Sequence, residues 1–205
     1  MTYQYSPAFG LQMGLFKAPF SKEFLTGAAS IDFVNRARAV SVLIPGRQIG
    51  VGFNGIVADK QLSYKLSISN GNSAKQNGND DDNYMYSGRI ALSPNLTNAG
   101  SSARFEIGAN AAVSKDNGIT LISGSLPLFS GERRILGADY RYETGPMFFS
   151  GEYLLSSFNP NSGETVHAQG FHLTAGYMAL DNVQLLVRWD QLDLKDVIAF
   201  SEASD

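Results

Sequence analysis

Apolar residues recur at every second position along most of this chain, the spacing of strands with one face in apolar surroundings and the other in water. Phe9, Leu11, Met13 and Leu15 alternate with smaller or polar residues, and Ile49, Val51, Phe53, Gly55 and Val57 follow. Leu62, Tyr64, Leu66 and Ile68 lie opposite Ser63, Lys65, Ser67 and Ser69. Tyr84, Tyr86, Ile90 and Leu92 face away from Arg89, and Phe105, Ile107, Ala109, Ala111 and Val113 face away from Arg104, Glu106 and Asn110. In the second half, Leu136, Ala138, Tyr140 and Tyr142 oppose Asp139, Arg141 and Glu143; Met147, Phe149 and Tyr153 oppose Ser150 and Glu152. Phe171, Leu173, Ala175 and Tyr177 then precede Val183, Leu185, Val187 and Trp189, across from Gln184, Arg188 and Asp190. About nine strands are expected, several near the roughly 9–11 residues that a tilted strand needs to cross a bilayer.

The connections are of two kinds. Short turns are predicted near Asp59-Lys60, Gly145-Pro146 and Asp181-Asn182, and long polar loops over residues 71–83 and 157–166. Short turns on one side and long loops on the other build a transmembrane barrel. Residues 18–46 break the alternation with Pro19, Gly27-Ala28-Ala29 and a run from Ser30 to Ile44 whose start could cap a helical turn. A connection this long is functional or disordered, and its apolar content argues against disorder. It is expected to fold back into the barrel as a constriction loop. The fold class is therefore all-β: one antiparallel transmembrane β-barrel domain over residues 1–205, or a partial barrel of about 9–10 strands.

Composition agrees with the pattern. Only 17% of residues are charged, below the roughly 25% usual for soluble domains. The 21 glycines, 9 tyrosines and 13 phenylalanines suit turns and aromatic strands. With no cysteine there is no disulfide framework or thiolate metal site, and a net charge of −3 without a basic stripe argues against nucleic acid. No apolar run is long enough for a membrane helix, so membrane residence would be through strands. The start, Met1-Thr2-Tyr3-Gln4-Tyr5, lacks a basic, apolar leader, and the end, Ala199 to Asp205, lacks a closing aromatic strand. Both features lead to the expectation that the chain is a piece of a larger barrel.

Gly50-Val51-Gly52-Phe53-Asn54-Gly55 matches the dinucleotide fingerprint, but alternation runs straight through it and another strand follows where that fingerprint needs a helix. Asp80-Asp81-Asp82 lacks the glycine and distal glutamate of a calcium loop and reads as a solvated loop. His167 and His172, five apart on one strand, point to opposite faces and cannot share a metal. Asn95-Leu96-Thr97 fits a glycosylation sequon, which the barrel reading makes irrelevant. No nucleophile elbow, phosphate loop or zinc-protease motif is present, so no catalytic residue, metal or cofactor is expected and the chain is read as a non-enzyme.

The constellation that carries chemistry is cationic. Lys17, Lys22, Arg36, Arg38 and Arg47, in and beside the inward loop, outnumber Glu23 and Asp32. Positive charge at a constriction with low-dielectric walls concentrates anions and repels cations. The alternative is that these residues pair with wall carboxylates such as Asp139, Glu143 and Glu152 to hold the loop down. The rest of the expected pore lining is balanced: Lys65, Arg89, Arg104, Arg141 and Arg188 meet Glu106, Asp139, Glu143, Glu152 and Asp190. Tyr84, Tyr86, Tyr140, Tyr142, Tyr153, Tyr177 and Trp189 suit aromatic girdles at headgroup level. In a soluble β-sandwich binding module the same rings would be core, and a chain that stays folded and monodisperse without detergent would be that module.

Residues 15–55, LFKAPFSKEFLTGAASIDFVNRARAVSVLIPGRQIGVGFNG, resemble the phosphate-selective porin O and P family of Gram-negative outer membranes. RRILGADYRYETGPMFFSGEY (133–153) and VRWDQLDL (187–194) are further echoes. The resemblance implies a homotrimeric sixteen-stranded channel in outer-membrane lipid, with a long inward loop that narrows the pore and presents cations to small anions such as phosphate. Passive diffusion of small hydrophilic solutes, with a possible anion preference, is the function it leads one to expect.

Overall fold

The computed structural model describes residues 1–71, 82–96, 103–119 and 128–194. Ten strands, β1 (Thr2–Ser6), β2 (Phe9–Lys17), β3 (Arg47–Val57), β4 (Leu62–Ser69), β5 (Met85–Leu92), β6 (Arg104–Ile119), β7 (Phe129–Thr144), β8 (Met147–Pro160), β9 (Val166–Leu180) and β10 (Val183–Asp193), pair antiparallel in sequence order in one sheet. Among the described residues β1 and β10 form its two edges, so the sheet is a partial barrel. One strand more than expected appears because Thr2–Ser6 turns through Pro7-Ala8 to pair with β2. The expected loop at 157–166 shrinks to residues 161–165, because Ser157 to Pro160 continue the ladder of β8 against β7. Asp80 and Asp81, Thr97 of the sequon and the 199–205 ending lie outside the described residues.

Every connection at one end of the sheet between β1 and β4, and between β7 and β10, is tight. Gly145-Pro146 joins β7 to β8 with Gly145 at φ 52°, a left-handed conformation that glycine adopts without a Cβ clash. Asp181-Asn182 joins β9 to β10, and three consecutive left-handed residues, Ala58, Asp59 and Lys60, turn β3 into β4. The other end carries the long connections, including residues 18–46.

Alternation sorts the side chains as the sequence predicts. Outward, Leu66, Ile68, Ile90, Leu136, Leu155, Leu173, Val187 and Trp189 are exposed, and these rows do not pack on one another as a sandwich core would. The G-x-G-x-x-G stretch lies within β3, and His167 is exposed while His172 is buried on the inner face.

Residues 18–46 occupy that inner face. They contain α1 (Lys22–Leu25), a 3₁₀ turn at Ala28–Ser30 and α2 (Arg38–Leu43). The capping residue is Ser21, whose Oγ accepts from the Phe24 N–H, and not Ser30, which ends the 3₁₀ turn without capping anything. Phe20, Phe24, Ala37, Ala39, Val40 and Leu43 pack with Ala112, Phe129, Ile135, Leu154, Phe158 and Ala168 of the wall. The apolar core of this protein is thus the seam between the inward segment and β6–β9.

Gly170 makes the seam possible: a Cβ there would meet Ala39 Cβ at 2.7 Å and Gln191 O at 2.8 Å. We expect Gly170→Leu to cost about 1–3 kcal/mol by overpacking and to expose residues 18–46 to protease, while Ala138→Leu on the outer face changes neither. Thermal denaturation and limited proteolysis in detergent check both.

Candidate functional site

The inward segment enters through Ser21. Its φ of 65° is left-handed, a strain of order 1–3 kcal/mol for a non-glycine residue. Three hydrogen bonds offset it: its N–H donates to Asn110 Oδ1 at 3.1 Å, its Oγ donates to Glu152 Oε2 at 3.0 Å, and the same Oγ caps α1.

From there a chain of charge ties the segment to the wall. Lys22 Nζ donates to both oxygens of Glu106 at 2.8 and 2.9 Å. Glu106 also accepts from Arg89 Nη2 at 2.9 Å, and Arg89 forms a two-pronged pair with Asp139, which in turn accepts from Asn110 Nδ2. A buried guanidinium is tolerated only with such saturation. Gly108 provides the room, because a Cβ there would collide with the Arg89 guanidinium.

Two further clasps hold the other side of the segment. Arg188 Nη2 donates to Glu23 Oε1 at 2.6 Å and its guanidinium lies 4.2 Å from the Phe33 ring centroid. Glu23 Oε2 accepts from the Ala37 N–H at 3.0 Å. Arg141 Nη1 donates to Asp32 Oδ2 at 2.8 Å and Arg141 Nε to Glu143 Oε1 at 2.7 Å, with Phe148 beneath the guanidinium. Asp190 accepts from the Arg38 backbone N–H.

Glu152, His172 and Asp190 are lateral neighbours on β8, β9 and β10. His172 Nε2 lies 3.7 Å from Glu23 Oε2 and 3.9 Å from Glu152 Oε2, and neither ring nitrogen has a hydrogen-bond partner among the described residues. No set of three described His, Asp or Glu side chains is arranged to hold a metal ion.

The five cations expected at the constriction fall into three groups. Lys22 is paired with Glu106. Arg38 lies apart, on α2, with an exposed side chain. Lys17, Arg36 and Arg47 gather with Lys65, all within electrostatic reach of Lys17. Among the described residues none of these four is within ion-pair distance of a carboxylate, although Glu106 attracts Lys65 from further off: Lys17 Nζ donates to the carbonyls of Phe24, Leu25 and Thr26, and Arg36 to those of Glu23 and Thr26. Carbonyls left open at the end of a helical turn accept hydrogen bonds without cancelling charge. Of the expected lining residues, Arg89, Asp139, Arg141, Glu143 and Arg188 are in ion pairs, Glu152 is bonded to Ser21, and Lys65 and Arg104 are exposed.

Between the segment and the wall lies a 730 Å³ cavity bordered by Lys22, Glu23, Asp32, Arg104, Glu143 and Thr174. A second of 280 Å³ sits beside Lys22, Thr26, Lys65, Arg89 and Glu106. Sequence reasoning missed Ser21, Gly108 and Asn110 as parts of this site. A glycine at an inward position of a strand is a signal of close approach, whereas nothing in the sequence marks Ser21.

Both side chains of the Glu23–Arg188 pair are largely buried, at 11% exposure each, so removing one strands the other. Glu23→Gln and Arg188→Gln should each destabilise the fold by about 3 kcal/mol, and the double variant by less than their sum. A double-mutant cycle from guanidinium unfolding in detergent measures the coupling, and strictly additive effects would show that the pair does not hold the segment.

A search of curated proteins found no match. The family model described as phosphate-selective porin O and P matches residues 1–188, nearly the whole chain. Strand order, outward apolar rows and a charged inner face all accord with that match, and the family is one of channels rather than enzymes: this chain belongs to the phosphate-selective porin O and P family of outer-membrane porins.

Proposed function

We propose that the chain forms the wall and constriction of a water-filled pore for passive diffusion of small hydrophilic solutes, with a preference for anions such as phosphate. The outward rows would meet lipid. From Leu136 to Thr144 the outer face of β7 runs about 26 Å along the strand and about 20 Å along a barrel axis tilted by about 40°. That is near the roughly 25 Å apolar band of outer-membrane barrels. Residues 18–46 act as the constriction loop and the 730 Å³ cavity as part of the lumen. A homotrimer in a Gram-negative outer membrane is the assembly that fits the family.

The observation that carries the anion preference is the group Lys17, Arg36, Arg47 and Lys65, four cations with no carboxylate partner among the described residues. The paired residues hold the loop in place and contribute little net field. Of the four, Lys65 borders the 280 Å³ cavity; uncompensated charge there attracts anions, and low-dielectric walls strengthen that field.

Planar-bilayer recordings in a potassium chloride gradient should give a reversal potential on the anion-selective side. Arg47→Glu with Lys65→Glu, both exposed and outside the clasps, should move it toward cation selectivity. An unchanged reversal potential would remove the cation group from the selectivity mechanism.

A further inference from the structure

One feature of the outer face stands apart from the pore. On β7, β8 and β9 the outward positions Arg134, Ser157 and His167 are direct lateral partners, and they form the first polar row above the apolar band. The row beneath reads Leu136, Leu155, Gln169. Small Ser157 between two long neighbours leaves a cleft of 580 Å³, floored by Leu136 and Leu155 and rimmed by Arg134 and His167. Its floor is exposed, Leu136 at 57% and Leu155 at 43%. The Tyr153 hydroxyl fixes one wall by donating to Gln169 Oε1 at 2.7 Å. Arg134 is held by Glu132 through Nε, yet its side chain stays 69% exposed. Asp193, beside Gln169, lies at the far end.

We propose that this cleft binds a phosphate-bearing membrane lipid, an inference that rests on the outer face lying in a bilayer. The phosphate is held at the Arg134 end, where a guanidinium, a hydroxyl and an imidazole converge. An acyl chain lies over Leu136 and Leu155 toward Tyr153 and Phe171. The fit is amphipathic: cationic and hydroxyl donors stand directly above leucines, at the level where a headgroup meets hydrocarbon. A dissolved anion uses only the rim, and an uncharged lipid only the floor.

Native mass spectrometry of the detergent-purified full chain tests this, with dioleoyl phosphatidic acid, dioleoylglycerol and inorganic phosphate as probes. Phosphatidic acid should remain bound at one copy per chain, about tenfold tighter than dioleoylglycerol, and Arg134→Gln with His167→Gln should weaken it about tenfold. Lys60→Gln, an exposed cation at the opposite end, should not. Heat-modifiable gel mobility verifies that each variant is folded. Equal retention by the double variant, equal binding of dioleoylglycerol, or displacement by inorganic phosphate at equal concentration would each overturn the proposal. Bilayer conductance of the same preparations keeps the two readings apart: loss of lipid with conductance intact concerns the cleft alone, and lipid bound without conductance would refute the pore and leave the cleft.

Discussion

A strand has only two faces, and a slip of one residue exchanges them. In this protein both faces are committed. The outer carries apolar and aromatic residues across its middle band, while the inner carries Arg89, Asp139, Glu152, His172 and Arg188. Exchange would put these charges outside and the leucines against the inward segment, so the register of β4 to β10 is fixed without any disulfide. Everything else depends on that sorting, including the width of the seam and the rows that align residues distant in sequence.

The inner face is itself layered. Toward the long-loop end Ile135, Leu154, Phe158 and Ala168 form an apolar patch that receives α2, beside a buried Arg133–Asp116 ion pair. One step toward the short-turn end come the carboxylates Asp139 and Glu152 with His172, and one step further Arg141, Ser150, Thr174 and Arg188. The inward segment is complementary to this order. Val40 and Leu43 meet the apolar layer, Ser21 meets Glu152, and Glu23 and Asp32 meet the arginines. Burial of apolar surface supplies the non-directional part of its attachment, and ion pairs fix where it rests.

Much of this was legible in the sequence. Period-two alternation placed the strands, the tight turns and the outward aromatics, because that signal is repeated many times over. β1 escaped because Tyr3 and Tyr5 alone give too short a pattern, and the end of β8 escaped because Ser157, Asn159 and Pro160 are polar where it leaves the apolar band. The inward segment was recognisable only as an exception. Its partners lie 84 to 165 positions away, as for Lys22 with Glu106 and Glu23 with Arg188, and single-sequence reasoning has no access to separations of that kind. For Lys22 the sequence leaves open both a free cation and one paired with a wall carboxylate, and the carboxylate it meets is Glu106.

The uneven pairing of inner charges also gives the cavity a direction. Among the described residues, cations outside ion pairs collect beside β2 to β4, whereas Glu152, which accepts from Ser21, and Asp190, which accepts from a backbone amide, stand on β8 and β10. On the proposed reading, the electric field between them runs across the passage instead of along it. A zwitterion or other permanent dipole crossing that gap would feel a torque and travel in one preferred orientation, so that two isomers of equal size and net charge could pass at different rates.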